Sequence, residues 1–239
     1  MKKSMSGRTS LRRVFLMTAG VGASIAALVS AGCFSSSNGT WYIRSAPLPQ
    51  GWPDLTPVGA VELRTYPQYR AATVDDGRNA SGMPIDESAM FMTLFRHIKR
   101  QDIAMTAPVD MTYTSQFDES GDPTAEQAAS ETPALMQMAF LYRAPDVGRP
   151  GTDGDVEVRE VPPQTWASIG IRGSYSERQL NRSLARIEAW LTEHPEWQAR
   201  GGARLLGYNG PFTLPFLRYG EVQVPVYRSE RESRGPVGQ

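Results

Sequence analysis

The sequence predicts an α+β fold in which a mainly antiparallel sheet carries two helices on its outside. Three observations lead there. "VELRTYPQYRAATV" (61–74) and "VEVREVPPQTWASIGI" (156–171) look like one segment written twice. Each is followed by an amphipathic helical stretch and then by further strand-like runs. A half of this size cannot bury both its sheet face and its helix stripe alone. Two pseudo-symmetric strand–strand–helix–strand repeats, at about 57–145 and 146–228, are therefore expected to pair about a pseudo-twofold axis, with a cleft between them.

The chain opens with an address rather than with the fold. Residues 1–33 hold Lys2, Lys3, Arg8, Arg12 and Arg13 and no acid, and the run from Val14 to Gly32 is uncharged. Rich in Gly and Ala, that run is weakly apolar and short for a membrane span, so it reads as an export signal. "LRRVFL" resembles a twin-arginine signal, with Leu11 where Ser or Thr is usual and Met17 where Lys is common. "VSAGC" resembles a lipobox ending at Cys33, whose thiol would take the lipid, with Ser30 in place of the usual Leu. Residues 34–56 then read as a tether. Phe34 follows Cys33 where Asp would mark inner-membrane retention, which directs the expectation to the outer membrane or a periplasm-facing place in the cell envelope. Membrane attachment would run through the lipid alone.

In the body, Val61, Glu62, Leu63 and Arg64 match Val156, Glu157, Val158 and Arg159, and Pro67 matches Pro162 at the same offset. Each proline marks a break between two strand segments. "SAMFMTLFRHIKR" (88–100) is a helix with Phe91, Leu94, Phe95 and Ile98 on one face. "DIAMTAPVDM" (102–111) reads as a strand, with Ile103, Met105, Ala107, Val109 and Met111 on one side and Pro108 perturbing it. Residues 115–133 are acidic and without hydrophobic period, a disordered loop by composition. "LMQMAFLYRAP" (135–145) is a further strand. The second helix opens at Ser176 with Gln179 three residues on, a capping-box signature, and its core stripe is Leu180, Leu184, Ile187 and Leu191. "YNGPF" (208–212) echoes "MTAPV" (105–109), and 229–239 read as a disordered tail.

Composition narrows the chemistry. Five of the 25 Lys and Arg and none of the 25 acids lie in residues 1–33, so the remainder carries a net charge of −5. A mildly acidic body lacks the clustered cations that nucleic acid requires. The single cysteine excludes an internal disulfide, and His97 and His194 lack metal-ligand spacing to a second histidine or cysteine. No Gly-rich phosphate loop and no Gly-x-Ser-x-Gly elbow is present.

"VELRTYPQYR", "FMTLFRHIKRQDIAMTAPV", "VEVREVPPQTWASIGIRG" and "YNGPFTLPFLRYGEVQVPV", in that order over most of 61–226, resemble the SOUL haem-binding protein family. The apolar helix followed by Met-Thr-Ala-Pro-Val is the most specific signal. The resemblance implies a distorted antiparallel β-barrel of two repeats flanked by two long helices. It also implies haem or another tetrapyrrole held in a shallow hydrophobic groove, without catalysis. Ten methionines and two histidines suit adaptable apolar contact more than strong iron ligation. In many relatives a Gly- and Lys-containing loop separates the first helix from the Met-Thr-x-Pro-Val strand. Here Lys99 to Asp102 makes that link, and it is shorter.

Candidate ligand residues follow. His97 stands where relatives often have Tyr, in a helical stripe with Met90, Thr93 and Arg100. It reads either as an axial haem ligand, with Arg100 near a propionate, or as a half-buried histidine satisfied by hydrogen bonds. Met105 and Met111 line a groove or fill the core, and Arg218 is a candidate for a carboxylate contact. His194 suits a helix C-terminus, where its charge complements the dipole. Two other functions stay open: a cofactor-free envelope module for another amphiphile or a protein partner, and a hydrolase using a strand-borne carboxylate such as Glu62, Glu157 or Glu221.

Overall fold

The computed structural model describes residues 34–37, 40–75, 86–117, 134–210 and 212–229. The segment 1–33 with Cys33, residues 118–133 of the acidic loop and residues 230–239 of the tail lie outside them.

Among the described residues twelve strands and two α-helices follow in chain order: β1 (Phe34–Ser37), β2 (Thr40–Ile43), β3 (Val61–Tyr66), β4 (Tyr69–Asp75), α1 (Glu87–Arg100), β5 (Val109–Phe117), β6 (Leu135–Leu141), β7 (Gly151–Asp153), β8 (Val156–Val161), β9 (Gln164–Arg172), α2 (Glu177–Glu193), β10 (Trp197–Ala199), β11 (Gly201–Gly207) and β12 (Tyr219–Arg228). β1 and β2 pair with each other. The other ten form one antiparallel sheet, ordered β3-β9-β12-β11-β5-β6-β4-β8-β7, with β10 beside β12.

The prolines break the strands where the sequence predicts, at Pro67 and at Pro162, where a residue without N–H has no hydrogen bond to donate to a ladder. The resulting segments do not form hairpins. β3 pairs with β9, and β4 with β8. The sheet is open, not the barrel that the family resemblance implies: its free ends are β3 and β7, and β7 fills the edge of β8 that a closing ladder would have to reach.

Other expectations shift as well. "DIAMTAPVDM" is a strand only from Val109. Before it the chain is irregular, with Ala107 N–H donating to Pro47 O at 3.0 Å, so Met105 and Met111 do not share a strand face. The two Pro-bearing pentapeptides fall at different places: 105–109 leads into β5, whereas 208–212 leaves β11. α1 is capped by Asp86, whose Oδ1 accepts from Ala89 N–H at 2.8 Å. The box at α2 is half-formed: Ser176 Oγ accepts from Gln179 N–H, but the Gln179 side chain donates to Arg172 O.

Both faces of the sheet are buried. On one, Val222, Val224 and Val226 of β12, Ala167, Ile169 and Ile171 of β9, and Met138 and Phe140 of β6 meet the apolar stripes of the helices. α1 packs on β4, β6 and β8, and α2 on β3, β9, β10 and β12. The opposite face carries the alternate residues of the same strands, covered by residues 40–56. These were expected to be a tether. Instead Tyr42, Leu55 and Thr56 are buried, and Leu48 and Trp52 pack on a second apolar cluster. Gly170 admits the crossing: a Cβ there would lie 2.3 Å from Thr56 O, so any side chain would push the segment off the sheet.

Under this cover lies a polar core. Glu221 is fully buried, and its carboxylate receives Thr56 N–H (2.7 Å), Gln223 Nε2 (2.8 Å) and the hydroxyls of Tyr66 (3.1 Å), Tyr208 (3.2 Å) and Tyr219 (2.7 Å). Burial first, and the charge of Glu221 second, raise the phenol pKa of Tyr66, Tyr208 and Tyr219, keeping them protonated as donors. Beside them Arg204 donates to Asp110 Oδ2 (2.9 Å), Tyr69 Oη (3.0 Å) and Gln223 Oε1 (2.9 Å), and lies 3.8 Å from the Trp166 ring centroid.

Removing one partner of a buried pair costs about 3–5 kcal/mol, because the other charge is left uncompensated. Arg204→Met should lower the unfolding free energy by an amount in that range, seen in urea as a lower midpoint at unchanged m-value. Adding Asp110→Leu should recover much of the loss. A single variant as stable as the parent contradicts this account of the core.

Candidate functional site

The placement of the helices leaves the seam between β5 and β11 without either helix's main contact. There the surface opens into an apolar groove of about 430 Å³. Phe91 and Met92 come from the first turns of α1, Val109 and Met111 from β5, and Met138 from β6. Tyr175 forms the far wall, and Glu87 and Arg218 stand at the rim. Phe91 is fixed edge-on against Phe140, with ring centroids 5.0 Å apart, and stacks on Phe95.

The Tyr175 wall depends on a gap in the sheet. Gly207 and Gly220 face each other across β11 and β12. The Tyr175 ring lies over them, and a Cβ on Gly220 would come within 2.8 Å of it. The Tyr175 hydroxyl donates to Tyr219 O at 2.6 Å, and burial pushes its phenol up to about 12. Arg218 is steadied through Nε, which donates to Thr213 O at 2.9 Å. The groove therefore offers an aromatic and thioether surface bordered by one carboxylate and one guanidinium. That suits a flat apolar ligand bearing a carboxylate.

A second cleft, about 530 Å³, is polar and sits at the other end of α1. His97 is buried there with both ring nitrogens engaged, Nδ1 at 2.7 Å from Asp153 Oδ2 and Nε2 at 2.9 Å from Tyr142 Oη. Asp153 also accepts from Arg100 Nη2 at 2.9 Å. The short link after α1 borders this cleft, not the groove: Gln101 and Ile103 line it, and Asp102 turns the chain with φ of 52°.

The structure thus divides the residues that the sequence groups together. Met111 and Arg218 line the apolar groove. His97 lines the polar cleft, and Thr93 and Arg100 line a small depression of about 200 Å³ beside Asp153. Met90 is fully buried beneath α1, and Met105 packs half-buried against the core. Cys33 lies outside the described residues. The stripe from Met90 to Arg100 spans ten helical steps, about 15 Å, too long to converge on one small ligand. Of the carboxylates, Glu62 pairs with Arg64, Glu157 is exposed, and Glu221 is sealed in the core. His194 caps α2 as expected, with Nδ1 2.7 Å from Trp190 O.

Phe91, Met92, Met138, Tyr175 and Gly207 are groove residues that the sequence reading did not select. Phe91 was assigned to the core stripe, and Tyr175 lies in a connection with no period. The available signal was the pair of glycines in neighbouring strands, which mark a close approach.

The profile of one protein family, described as SOUL heme-binding protein, matches residues 54–225. A comparison with curated proteins finds no match. Among solved structures, the chain is similar to the C-terminal domain of EcmrR at 14% identity, covering 71% of this chain and 98% of that one with a TM-score of 0.46. It is similar to an uncharacterized conserved protein from Listeria innocua at 14% identity, covering 72% and 94% with a TM-score of 0.49. A hydrolase from Listeria innocua matches at 12% identity over 72% and 94% of the two chains, with a TM-score of 0.48.

The polar cleft has a pH signature. Hydrogen bonds from Arg100, then His97, then Gln101, lower the Asp153 pKa to about 2. An unfolded aspartate titrates near 3.9, so the folded form holds its proton less tightly. The stabilisation is complete above that value and is lost as pH falls through about 2. Amide protection over residues 151–153 should fall between pH ~4 and ~2, and Asp153→Asn should remove that pH dependence. Unchanged protection in the parent over this window contradicts the assignment.

Proposed function

The chain belongs to the SOUL heme-binding protein family, and we propose that it binds haem or a similar flat tetrapyrrole in the seam groove, as a carrier or sensor without catalysis of its own. The apolar groove with Arg218 at its rim carries this reading. Its lining fits the ring: Phe91, Met92, Met111, Met138 and Tyr175 give face contact, and Arg218 gives a cation for a propionate. For iron the fit is weaker. None of the described lining residues is a histidine or cysteine, and the Tyr175 hydroxyl is already committed to Tyr219 O. Binding through the ring face, with His97 uninvolved, follows from that donor set.

Two related halves also belong to this reading, and the strand order supports them. Exchanging β3 with β8, β4 with β9, β5 with β11 and β6 with β12 turns β3-β9-β12-β11-β5-β6-β4-β8 into its own reverse. The groove lies at the β5–β11 centre of that order. The envelope placement rests on the sequence: a basic start, an uncharged run, and Cys33 where that run stops. The protein is then exported and held by lipid on Cys33, facing the periplasm or attached to the outer membrane.

Titration of the protein with micromolar haem should give a Soret shift and quench tryptophan fluorescence. Met92→Glu, at an exposed groove position, should weaken binding at least tenfold, about 1.4 kcal/mol. His97→Ala should leave the bound spectrum unchanged. No Soret shift at all would sink the haem reading, and a changed spectrum in His97→Ala would return that residue to the site. Separately, Cys33→Ala should abolish lipid processing, and a variant still processed and membrane-bound like the parent removes the anchor.

A further inference from the structure

The connection from β11 to β12 exposes apolar side chains that the groove does not use. Phe212 is 98% exposed, Phe216 67% and Leu214 55%. They are held out by the loop's own bonds. Thr213 N–H donates to Gly210 O, Leu217 N–H to Leu214 O and Arg218 N–H to Pro215 O, and Arg218 Nε ties back to Thr213 O. A pre-shaped loop that shows two phenylalanines and a leucine to water needs an apolar partner.

The path of the chain says which. Phe34, the residue after Cys33, pairs with Ile43 across β1 and β2. Ile43 O accepts from Asn209 Nδ2 at 2.6 Å, and Ser45 Oγ accepts from Gly210 N–H at 3.1 Å. Phe34, which follows Cys33 in the sequence, is therefore one cross-strand step and one hydrogen bond from the base of the loop. Around this edge stand the half-exposed Trp41, whose ring is 3.8 Å from Arg172 Cζ, and the exposed Arg44. Apolar side chains on a loop whose base adjoins a strand carrying tryptophan and arginine match the chemistry of a lipid headgroup boundary. No helix among the described residues is long and apolar enough to cross a membrane.

We propose that Phe212, Leu214 and Phe216 dip into the phospholipid surface in which the Cys33 lipid is seated. This inference rests on the reading of Cys33 as the lipidated residue. Docked in this way, the chain turns toward the bilayer the edge that carries Arg218 and the mouth of the groove, so an amphiphile can pass between membrane and groove.

The test uses the full chain expressed in an exporting bacterium. Phe212 and Phe216 are each replaced by p-benzoylphenylalanine and irradiated in cells. Tyr227, an exposed aromatic eight residues along β12 from Tyr219 and so about 26 Å away, is the control. Phospholipid adducts at positions 212 and 216 and none at 227 support the docking. Protein adducts alone, or equal lipid adducts at all three positions, overturn it. The mass of the processed chain reports acylation of Cys33 independently. Acylated Cys33 without lipid adducts overturns the docking and leaves the anchor standing. Adducts without acylation overturn the anchor on which the docking rests.

Discussion

The fold is organised around one carboxylate. Glu221 sits at the centre of the sheet with no access to water, and a buried carboxylate without donors is untenable. Its five donors come from Thr56 in the N-terminal cover, Tyr66 on β3, Tyr208 after β11, and Tyr219 and Gln223 on β12. Satisfying it therefore joins the cover to three parts of the sheet. Gln223 extends the network to Arg204, and Arg204 to Asp110 on β5. Polar networks of this kind specify one arrangement, because any slip in register strands several groups at once.

That constraint has a consequence on the far side of the sheet. Strand residues alternate faces, so fixing Tyr219, Glu221 and Gln223 toward the cover fixes Val222, Val224 and Val226 toward the helices. Each helix then takes the strands nearest its own end, and the β5–β11 seam is left between them. The groove is the result of that division. Its Tyr175 wall sits on Gly207 and Gly220, the register pair that ends the β11–β12 ladder.

Much of this was legible in the sequence. Period and proline located both split strands, and the 3.6-residue stripes and caps located both helices within a residue or so. Met111 and Arg218 line the groove, but the parity that grouped Met111 with Met105 does not hold, because the strand begins only at Val109. Glu221 was grouped with Glu62 and Glu157 as a strand-borne carboxylate, and its burial has a non-local cause. Alternating charge on a strand normally marks the wet face, and here the cover comes from residues 40–56, which have no hydrophobic period and looked like a tether. His97 was left open between a haem ligand and a histidine satisfied by hydrogen bonds, because nothing in a helical stripe reveals that Asp153 and Tyr142 would occupy both its nitrogens. Barrel closure came from the family resemblance, and the pairing of β7 with β8 decided otherwise.

The central claim is that ligand enters the seam and not the His97 cleft. Methionine side chains report the seam directly, since Met92, Met111 and Met138 line it and Met105 packs outside it. In a spectrum of the protein labelled at methionine methyl carbons, added haem should broaden and shift Met92, Met111 and Met138 while leaving Met105 in place. Perturbation centred on Met105 and the Ile103 side of α1, or no methionine response at saturating haem, would contradict it.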